Sequence, residues 1–255
     1  MLIHIRWSDL SKLPPDDPLF DLSIHSLTKL QPYRDMTNLL RTIPDLAVFR
    51  TAHRFIRAWA KHRGIYAAKF GFLGGIHITM MLSRICKLYF HDAPVLTAAD
   101  IICTFFRHYA EFDWDNEIMY DPFFFKNNPR YRRYPNDPMV ILTLHAPIIN
   151  VARAVSIPSQ RTIVEELKRA DRLLSGEEML WSAVISGSEQ GSVADLDEGA
   201  HEFLKDYSSY IKVNVQYWGL SLAKGSALVG WLESRCLRLL VGKSPYSIPY
   251  SADLF

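Results

Sequence analysis

Cysteine is scarce in this sequence, and its three cysteines are widely spaced. Cys86, Cys103 and Cys236 form no Cys-x-x-Cys pair, which argues against a disulfide framework and is typical of a reducing compartment. Together with the nine histidines they show no metal-ligand spacing. A large excess of one charge is also lacking: the formal net charge is +2, so any surface for nucleic acid must be a local patch.

Long apolar runs are missing as well. No stretch of about eighteen apolar residues occurs, so the sequence predicts no transmembrane helix. The first residues lack the basic start and apolar core of a signal peptide. A Walker loop, a dinucleotide fingerprint and a Gly-x-Ser-x-Gly elbow are absent. Asp195 and Asp197 match an Asp-x-Asp pattern by letter, but they lie in an acidic Gly/Ser-rich segment, and we interpret the match as chance.

What is present is an ordinary globular composition, with 49% hydrophobic and 22% charged residues, which suits one or two domains. The clearest predicted helix covers Leu46–Tyr66. Its apolar residues recur at helical spacing, and the row consists of Val48, Ala52, Phe55, Trp59, His62 and Tyr66. A second row, about 200° around the axis, is basic and consists of Arg50, Arg54, Arg57 and Lys61.

Two interpretations of this basic row remain open. A charged row is most often a solvated helix face, but guanidinium groups at one-turn spacing could also contact a triphosphate or an RNA backbone. Tyr66 follows the helix with a ring and a hydroxyl, and the Gly74–Gly75 pair could let the backbone approach a ligand. The glycine pair could equally be a plain turn between helices.

The remaining pattern alternates between helix, loop and short strand. Gly71–Gly75 predicts a tight turn into a buried helix, and Thr97 with Asp100 resembles a capping box. Further predicted helices are Ile76–Tyr89, the segment after Thr97, Gln160–Leu174 and Leu228–Val241. Predicted strands are Met1–Trp7, Met139–Leu144 and Tyr210–Tyr217, and predicted loops are Asn127–Pro138 and Ser186–Gly199. Helix dominates before about residue 158 and mixed structure follows, which indicates a domain boundary.

From Phe49 the string FRTAHRFIRAWAKHRGIYAAKFGFLGGIHITMMLSRICKLY resembles the central domain of eukaryotic poly(A) polymerases. That family has Phe-Arg, a helix ending in Trp-Ala-Lys-x-Arg-Gly-Ile-Tyr, the turn Gly-Phe-Leu-Gly-Gly, and a buried helix ending near Cys-x-Leu-Tyr. The resemblance needs no gap here, and it extends in both directions over nearly the whole chain. Its further segments include Ser26–Leu27, Phe105–Trp114, Met139–Asn150, Val155–Lys168 and Leu228–Gly242.

The resemblance implies an α+β, mainly helical fold with two domains. Residues 1–25 would be a remnant of a nucleotidyltransferase domain, and residues 26–158 the helical central domain. Residues 159–255 would form an RRM-like (ferredoxin-like) α/β sandwich that binds RNA. The implied activity is polyadenylation: addition of AMP from ATP to RNA 3′ ends during mRNA 3′-end processing in the nucleus. The implied partners are ATP, the RNA 3′ end and mRNA 3′-processing factors, with Mg²⁺ or Mn²⁺ as metal, no membrane and a monomeric state.

Family residues carry over position by position. The ATP-binding lysine falls on Arg57, the tyrosine on Tyr66, and the Gly-Val pair on Gly75 and Ile76. Ala68 stands where the family has asparagine, so one polar contact to the nucleotide is replaced. The other members of the basic row, Arg50, Arg54 and Lys61, are weaker candidates for contacts with phosphate or RNA.

The metal-binding carboxylates of the family have no counterpart here. Met1–Trp7 matches the strand that carries the third catalytic aspartate, and that position falls on Leu2. We therefore expect no catalytic residue and no metal ligand in these residues, and no activity from the chain by itself. The alternative is a non-catalytic RNA- or nucleotide-binding module derived from such an enzyme. A third interpretation, in which the basic and aromatic positions are purely structural, conflicts with the complete order of the motifs.

Overall fold

The computed structural model describes residues 23–90, 97–125, 127–176, 181–186, 214, 216–219 and 221–240. Within these ranges the chain is mainly helical, as the sequence predicts. The α-helices there are α1 (Ile24–Thr42), α2 (Leu46–His62), α3 (Gly75–Phe90), α4 (Ala98–Glu111), α5 (Ile157–Ser175), α6 (Trp181–Ser186) and α7 (Leu222–Leu240). A short 3₁₀ turn, Ala68–Phe70, lies between α2 and α3.

β-structure in the described ranges is limited to isolated bridges, which join Tyr66 to Leu73, Met119 to Ile141 and Leu142 to Asn150. The strand predicted over Met139–Leu144 is therefore wrong as a regular element, although its residues are buried. Of the strand predicted over Tyr210–Tyr217, the described residues 214, 216 and 217 lie in no regular element. The predicted Met1–Trp7 strand and residues 187–199 of the predicted loop Ser186–Gly199 fall outside the described residues.

Helix α2 begins where the sequence predicts and ends earlier. The Asp45 carboxylate caps it by accepting hydrogen bonds from the backbone N–H groups of Ala47 and Val48. Gly64, with a φ of 69°, ends the helical path in the left-handed region that favours glycine. Tyr66 consequently lies beyond the helix rather than on its last turn.

The apolar row predicted for α2 is rotated relative to the observed one. The buried face consists of Phe49, Ala52, Ile56, Trp59 and Ala60. His62, which the sequence placed in this row, is exposed. The difference has a simple cause. The predicted row runs through Tyr66, which lies beyond the helix, so the predicted face is shifted toward residues at the edge of the buried one.

Helix α3 is central and buried, as predicted, and α4 packs against it and against α2. Helix α4 starts with the expected capping box, in which Thr97 and Asp100 bond each other's backbone N–H groups. Edge-to-face aromatic contacts fill the space between α2 and α4; the ring centroids of Trp59 and Phe106 are 4.9 Å apart. The buried Tyr109 hydroxyl donates to the Met81 carbonyl at 2.9 Å.

Helix α5 crosses the residue at which we expected a domain boundary. It starts at Ile157 behind the Ser156 cap, and its inner residues belong to the same buried cluster as α2, α3 and α4. Arg63 at the end of α2 donates to both carboxylate oxygens of Glu166 on α5, at 2.8 and 2.9 Å. The helical core of the described residues therefore continues past residue 158.

Helix α1 holds a turn that is distant in the sequence. The buried Asp35 carboxylate contacts His145 Nδ1 at 2.7 Å and accepts from the His145 backbone N–H at 3.1 Å. Gln31 Nε2 donates to the carbonyls of His145 and Pro147, and the Ala146–Pro147 peptide is cis. These contacts hold the turn at residues 145–147 against α1. Of the helices in the described ranges, none has both the length and the apolarity needed to cross a membrane.

Candidate functional site

The connection between α2 and α3 folds back on itself and places Tyr66 beside the start of α3. The backbone N–H of Leu73 donates to the Ile65 carbonyl at 3.0 Å, and Tyr66 and Leu73 form a parallel bridge. Gly71, with a φ of 81°, makes the reversal possible after the 3₁₀ turn. Two turns through left-handed glycines therefore determine where the Tyr66 side chain lies.

Two other residues singled out from the sequence, Arg57 and Gly75, lie beside the Tyr66 side chain. The Arg57 guanidinium carbon lies 5.5 Å from the centre of the Tyr66 ring. A Cβ atom built on Gly75 would lie 3.5 Å from the Tyr66 hydroxyl, which is ordinary van der Waals contact. Gly75 and Ile76 are the first two residues of α3, and the first N–H groups of a helix have no acceptor within it. The structure thus brings Arg57, Tyr66 and Gly75 together, and Ile76 is the residue that follows Gly75 in α3.

The basic row of α2 is confirmed as an exposed row. Arg50, Arg54, Arg57 and Lys61 are all exposed, and none makes a salt bridge to any residue that the structure describes. Lys61 also reaches the Tyr66 ring, with Nζ 5.8 Å from its centre. Two members of the row, Arg57 and Lys61, therefore lie against Tyr66; together with Gly75 these residues form what we call the Tyr66 cluster.

The two glycines before and at the start of α3 have different surroundings. A Cβ atom on Gly74 would lie 3.0 Å from Ala68 Cβ and 3.2 Å from His77 Nδ1, which is tight. Gly74 donates its N–H to His77 Nδ1 at 2.8 Å. Gly74 is therefore packed from two sides, whereas a Cβ on Gly75 would meet, among the residues that the structure describes, just the Tyr66 hydroxyl.

His77 is a buried residue that sequence reasoning missed. Because its Nδ1 accepts from Gly74, its Nε2 carries the proton and donates to the Val151 carbonyl at 2.8 Å. Burial lowers the pKa of His77, and the hydrogen bond to the Val151 carbonyl opposes this shift. A neutral imidazole thus links the glycine turn to the segment after residue 150.

His53 is a second missed residue, one helical turn before Arg57. Its Nε2 lies 3.2 Å from the Thr79 hydroxyl, and the ring is half-buried between α2 and α3. Burial lowers the pKa of His53; a hydrogen bond to the Gly75 backbone opposes this, and the charge of Arg57 adds to it. The sequence did hold a signal: His53, Arg57 and Lys61 are spaced by four, which puts them on one side of the helix.

The chemistry that the Tyr66 cluster offers is donation of hydrogen bonds to an anion. Its members are a guanidinium, an ammonium, a phenol and the amino-terminal turn of a helix, a combination that favours phosphate. In the part of the chain that the structure describes, no group of three or more His, Cys, Asp or Glu side chains could hold a metal ion.

Comparison with known proteins agrees with the resemblance seen in the sequence. The family model described as the poly(A) polymerase central domain matches residues 48–184. The chain is 28% identical over 243 residues to nuclear poly(A) polymerase 1 of Arabidopsis thaliana, covering 89% of this chain and 31% of that protein. It is 29% identical over 230 residues to poly(A) polymerase pla1 of Schizosaccharomyces pombe, covering 83% of this chain and 37% of that protein. The chain thus spans about a third of the length of these relatives.

Proposed function

Since this chain belongs to the poly(A) polymerase family, we propose that the Tyr66 cluster binds ATP, and that the protein serves polyadenylation of mRNA 3′ ends. The observation that carries the proposal is that Arg57 and Gly75 both lie against Tyr66. Arg57 and Gly75 are 18 positions apart in the sequence, and the two turns between α2 and α3 bring both of them to Tyr66. Solvated cations with no further role would not need such a convergence.

Each residue has a distinct part in this proposal. Arg57 offers a planar fork of donors to phosphate oxygens, where a lysine would offer a single compact charge. The backbone N–H groups of Gly75 and Ile76 point out of the positive end of the α3 dipole, which favours a phosphate. The Tyr66 hydroxyl lies beside Gly75, and the Tyr66 ring lies beside Arg57.

The rest of the basic row serves the same chemistry at longer range. We propose that Arg50, Arg54 and Lys61 contact phosphates, either of the nucleotide or of the RNA backbone. Their exposure and the absence of salt bridges to described residues support this, because unpaired cations on one helix face attract a polyanion. The RNA 3′ end is the partner that the family implies.

Catalysis itself is assigned to no residue of the described ranges. The family's reaction uses a divalent metal, Mg²⁺ or Mn²⁺, which supplies charge stabilisation during phosphoryl transfer. The described residues hold no group that fits such a metal. Leu2 stands where the family has its third aspartate. We therefore propose that these 255 residues by themselves bind the nucleotide without transferring it.

The domain order that we propose follows the family. A remnant of the nucleotidyltransferase domain covers residues 1–25, the helical domain begins at residue 26, and an RRM-like RNA-binding domain follows residue 158. In this arrangement the first helix of the last domain, α5, packs on the helical core. We also propose a nuclear location, by analogy with relatives named nuclear poly(A) polymerases, a monomeric state, and contacts with mRNA 3′-processing factors.

A second candidate is a non-catalytic module that binds nucleotide or RNA. Ala68 favours this second candidate. It is exposed and lies beside Gly74, at a position where the family carries an asparagine that contacts the nucleotide. A transcript that encodes an in-frame Gly-Ser and Asp-x-Asp ahead of Met1 would favour the enzyme, and a transcript without it would favour the module.

Calorimetric titration of the full chain with ATP tests the proposed site. We expect saturable binding that Arg57→Gln weakens about tenfold, since one charge-assisted contact is lost. Arg107→Gln, which removes an exposed arginine of α4, is the matched control and should leave ATP affinity unchanged. Equal affinities of the wild type and Arg57→Gln would refute the site. Incorporation of AMP into an RNA primer by the purified chain with Mg²⁺ or Mn²⁺ would refute the proposal that it binds without transfer.

A further inference from the structure

The imidazole of His53 connects α2 to the first turn of α3. Its Nε2 lies 3.2 Å from the hydroxyl oxygen of the buried Thr79, and the ring also forms a hydrogen bond with the backbone of Gly75. Gly75 and Thr79 are four residues apart in α3, so they lie on the same side of that helix. Because one ring contacts both of them, it holds the beginning of α3 against α2.

In the part of the chain that the structure describes, one charged group acts on this ring. That group is the guanidinium of Arg57, one turn further along α2, whereas the ring faces the backbone of Gly75 and the hydroxyl of Thr79 on α3, which carry no charge. Phe49 lies one turn earlier, with its ring centre 5.9 Å from that of His53. Burial lowers the pKa of His53, the hydrogen bond with Gly75 opposes this shift, and the charge of Arg57 adds to it, so the imidazole is mostly neutral at pH 7.

A phosphate bound at the Tyr66 cluster would change the charge that His53 experiences. It would neutralise the guanidinium of Arg57, whose charge disfavours protonation of the ring. It would also place negative charge at the start of α3, which the ring contacts, and a nearby negative charge favours the imidazolium. Both effects have the same sign, so a bound phosphate and a proton on His53 should stabilise each other.

We propose that His53 is a positioning residue that holds the first turn of α3, and that binding of ATP is coupled to uptake of a proton by its imidazole. The inference rests on the proposed ATP site and adds a proton-linked residue to it. The proton comes from solvent and binds the ring nitrogen that is unprotonated in the neutral form. An imidazolium donates from both nitrogens, and the hydroxyl oxygen of Thr79 can accept, so the contact that positions α3 persists after protonation.

The pH profile of ATP affinity separates this coupling from a merely structural role. The full chain is titrated calorimetrically with ATP at pH 8, 7 and 6. His53→Gln keeps a side chain that can hydrogen-bond to Thr79 but cannot take up a proton, and His53→Leu removes both properties. His62→Gln, which replaces an exposed histidine on the last turn of α2, is the matched control. Protonation of ATP itself is the same in every titration, so each variant is compared with the wild type at the same pH.

At pH 8 we expect His53→Gln to bind ATP within about twofold of the wild type, and His53→Leu about fivefold more weakly, because the hydroxyl of Thr79 loses its partner. From pH 8 to pH 6, the dissociation constant of His53→Gln relative to that of the wild type should rise about threefold, the size of one solvent-screened charge pair. The same ratio for His62→Gln should stay constant. In NMR spectra of the wild type, saturating ATP should move the titration midpoint of the His53 ring proton to higher pH.

The results that would overturn this inference differ in what else they overturn. A ratio for His53→Gln that does not change with pH, or an NMR midpoint that ATP does not move, would refute the proton coupling. Full ATP affinity of His53→Leu at pH 8 would refute the positioning role, and in all these cases the ATP site stands. If the wild-type chain does not bind ATP, the site is wrong and the coupling is wrong with it. If His53→Gln does not fold, the NMR midpoint of the wild type decides.

Discussion

The imidazole of His77 accepts the backbone N–H of Gly74 at 2.8 Å and so holds the turn that begins α3. Its other nitrogen donates to the Val151 carbonyl, which anchors that turn to a part of the chain 74 residues away. The amino-terminal turn of α3, which we propose binds phosphate, therefore depends on His77, a buried residue that is not part of the Tyr66 cluster.

Acid should destabilise the fold through His77. Burial lowers its pKa in the folded state, so the unfolded chain binds more protons once the pH falls below about 6.5, the ordinary value for histidine. The stability that neutral His77 contributes is present at pH 7 and is lost as the pH falls toward the lowered folded-state pKa. Urea unfolding at pH 7, 6 and 5 should show a decline in the free energy of unfolding that is smaller in His77→Asn.

His62→Asn is the control for this measurement, because His62 is exposed on the last turn of α2. Burial lowers the pKa values of His53 and His108 as well, so part of the decline should persist in His77→Asn. An unchanged pH dependence in His77→Asn would show that its protonation does not limit stability.

The two adjacent glycines should respond differently to alanine. At Gly74 the new Cβ would lie 3.0 Å from Ala68 Cβ, so we expect overpacking and a loss of about 1–3 kcal/mol in the free energy of unfolding. At Gly75 the Cβ meets only the Tyr66 hydroxyl, at 3.5 Å, so stability should stay within about 1 kcal/mol. ATP affinity of Gly75→Ala should nevertheless fall, because the methyl group occupies space beside the helix start. Greater destabilisation by Gly75→Ala than by Gly74→Ala would contradict the described packing.

The ion pair between Lys87 and Asp121 should be costly to break. Both side chains are almost fully buried, and the second Asp121 oxygen accepts from the N–H groups of Phe123 and Phe124. Lys87→Met leaves a buried carboxylate without its cation, which should cost about 3–5 kcal/mol in urea unfolding. Adding Asp121→Asn removes that charge and keeps an acceptor for the two N–H groups, so part of the loss should be recovered. A double variant no more stable than Lys87→Met would show that the buried charge is not the cause.

Local signals in the sequence were enough to predict α2 and α3, the two helices on either side of Tyr66. The Asp45 cap sets the start of α2, and the glycines at 64 and 71 set its end and the turn that follows it; the Thr97 capping box is as expected. The basic row was also predictable, because it depends only on the helical period. The family resemblance assigns both Arg57 and Tyr66 to ATP binding, and the structure brings these two residues together.

Residues whose roles depend on distant contacts could not be found in this way. His77 gains its role from Val151, and Asp35 gains its role from His145, 110 residues away. The segment Met139–Leu144 illustrates a different limit: a short buried apolar run has the same composition whether it forms a regular strand or isolated bridges. One of its backbone N–H groups, that of Ile141, donates to the Asn150 side chain, a contact that no periodicity reveals.

A crystal structure of this chain with a non-hydrolysable ATP analogue tests the central claim most directly. The account predicts phosphate oxygens within about 2.7–3.2 Å of the Arg57 guanidinium and of the backbone N–H of Ile76, with the analogue lying against Tyr66. An analogue bound elsewhere, with Arg57 and the start of α3 left free of phosphate, would contradict it.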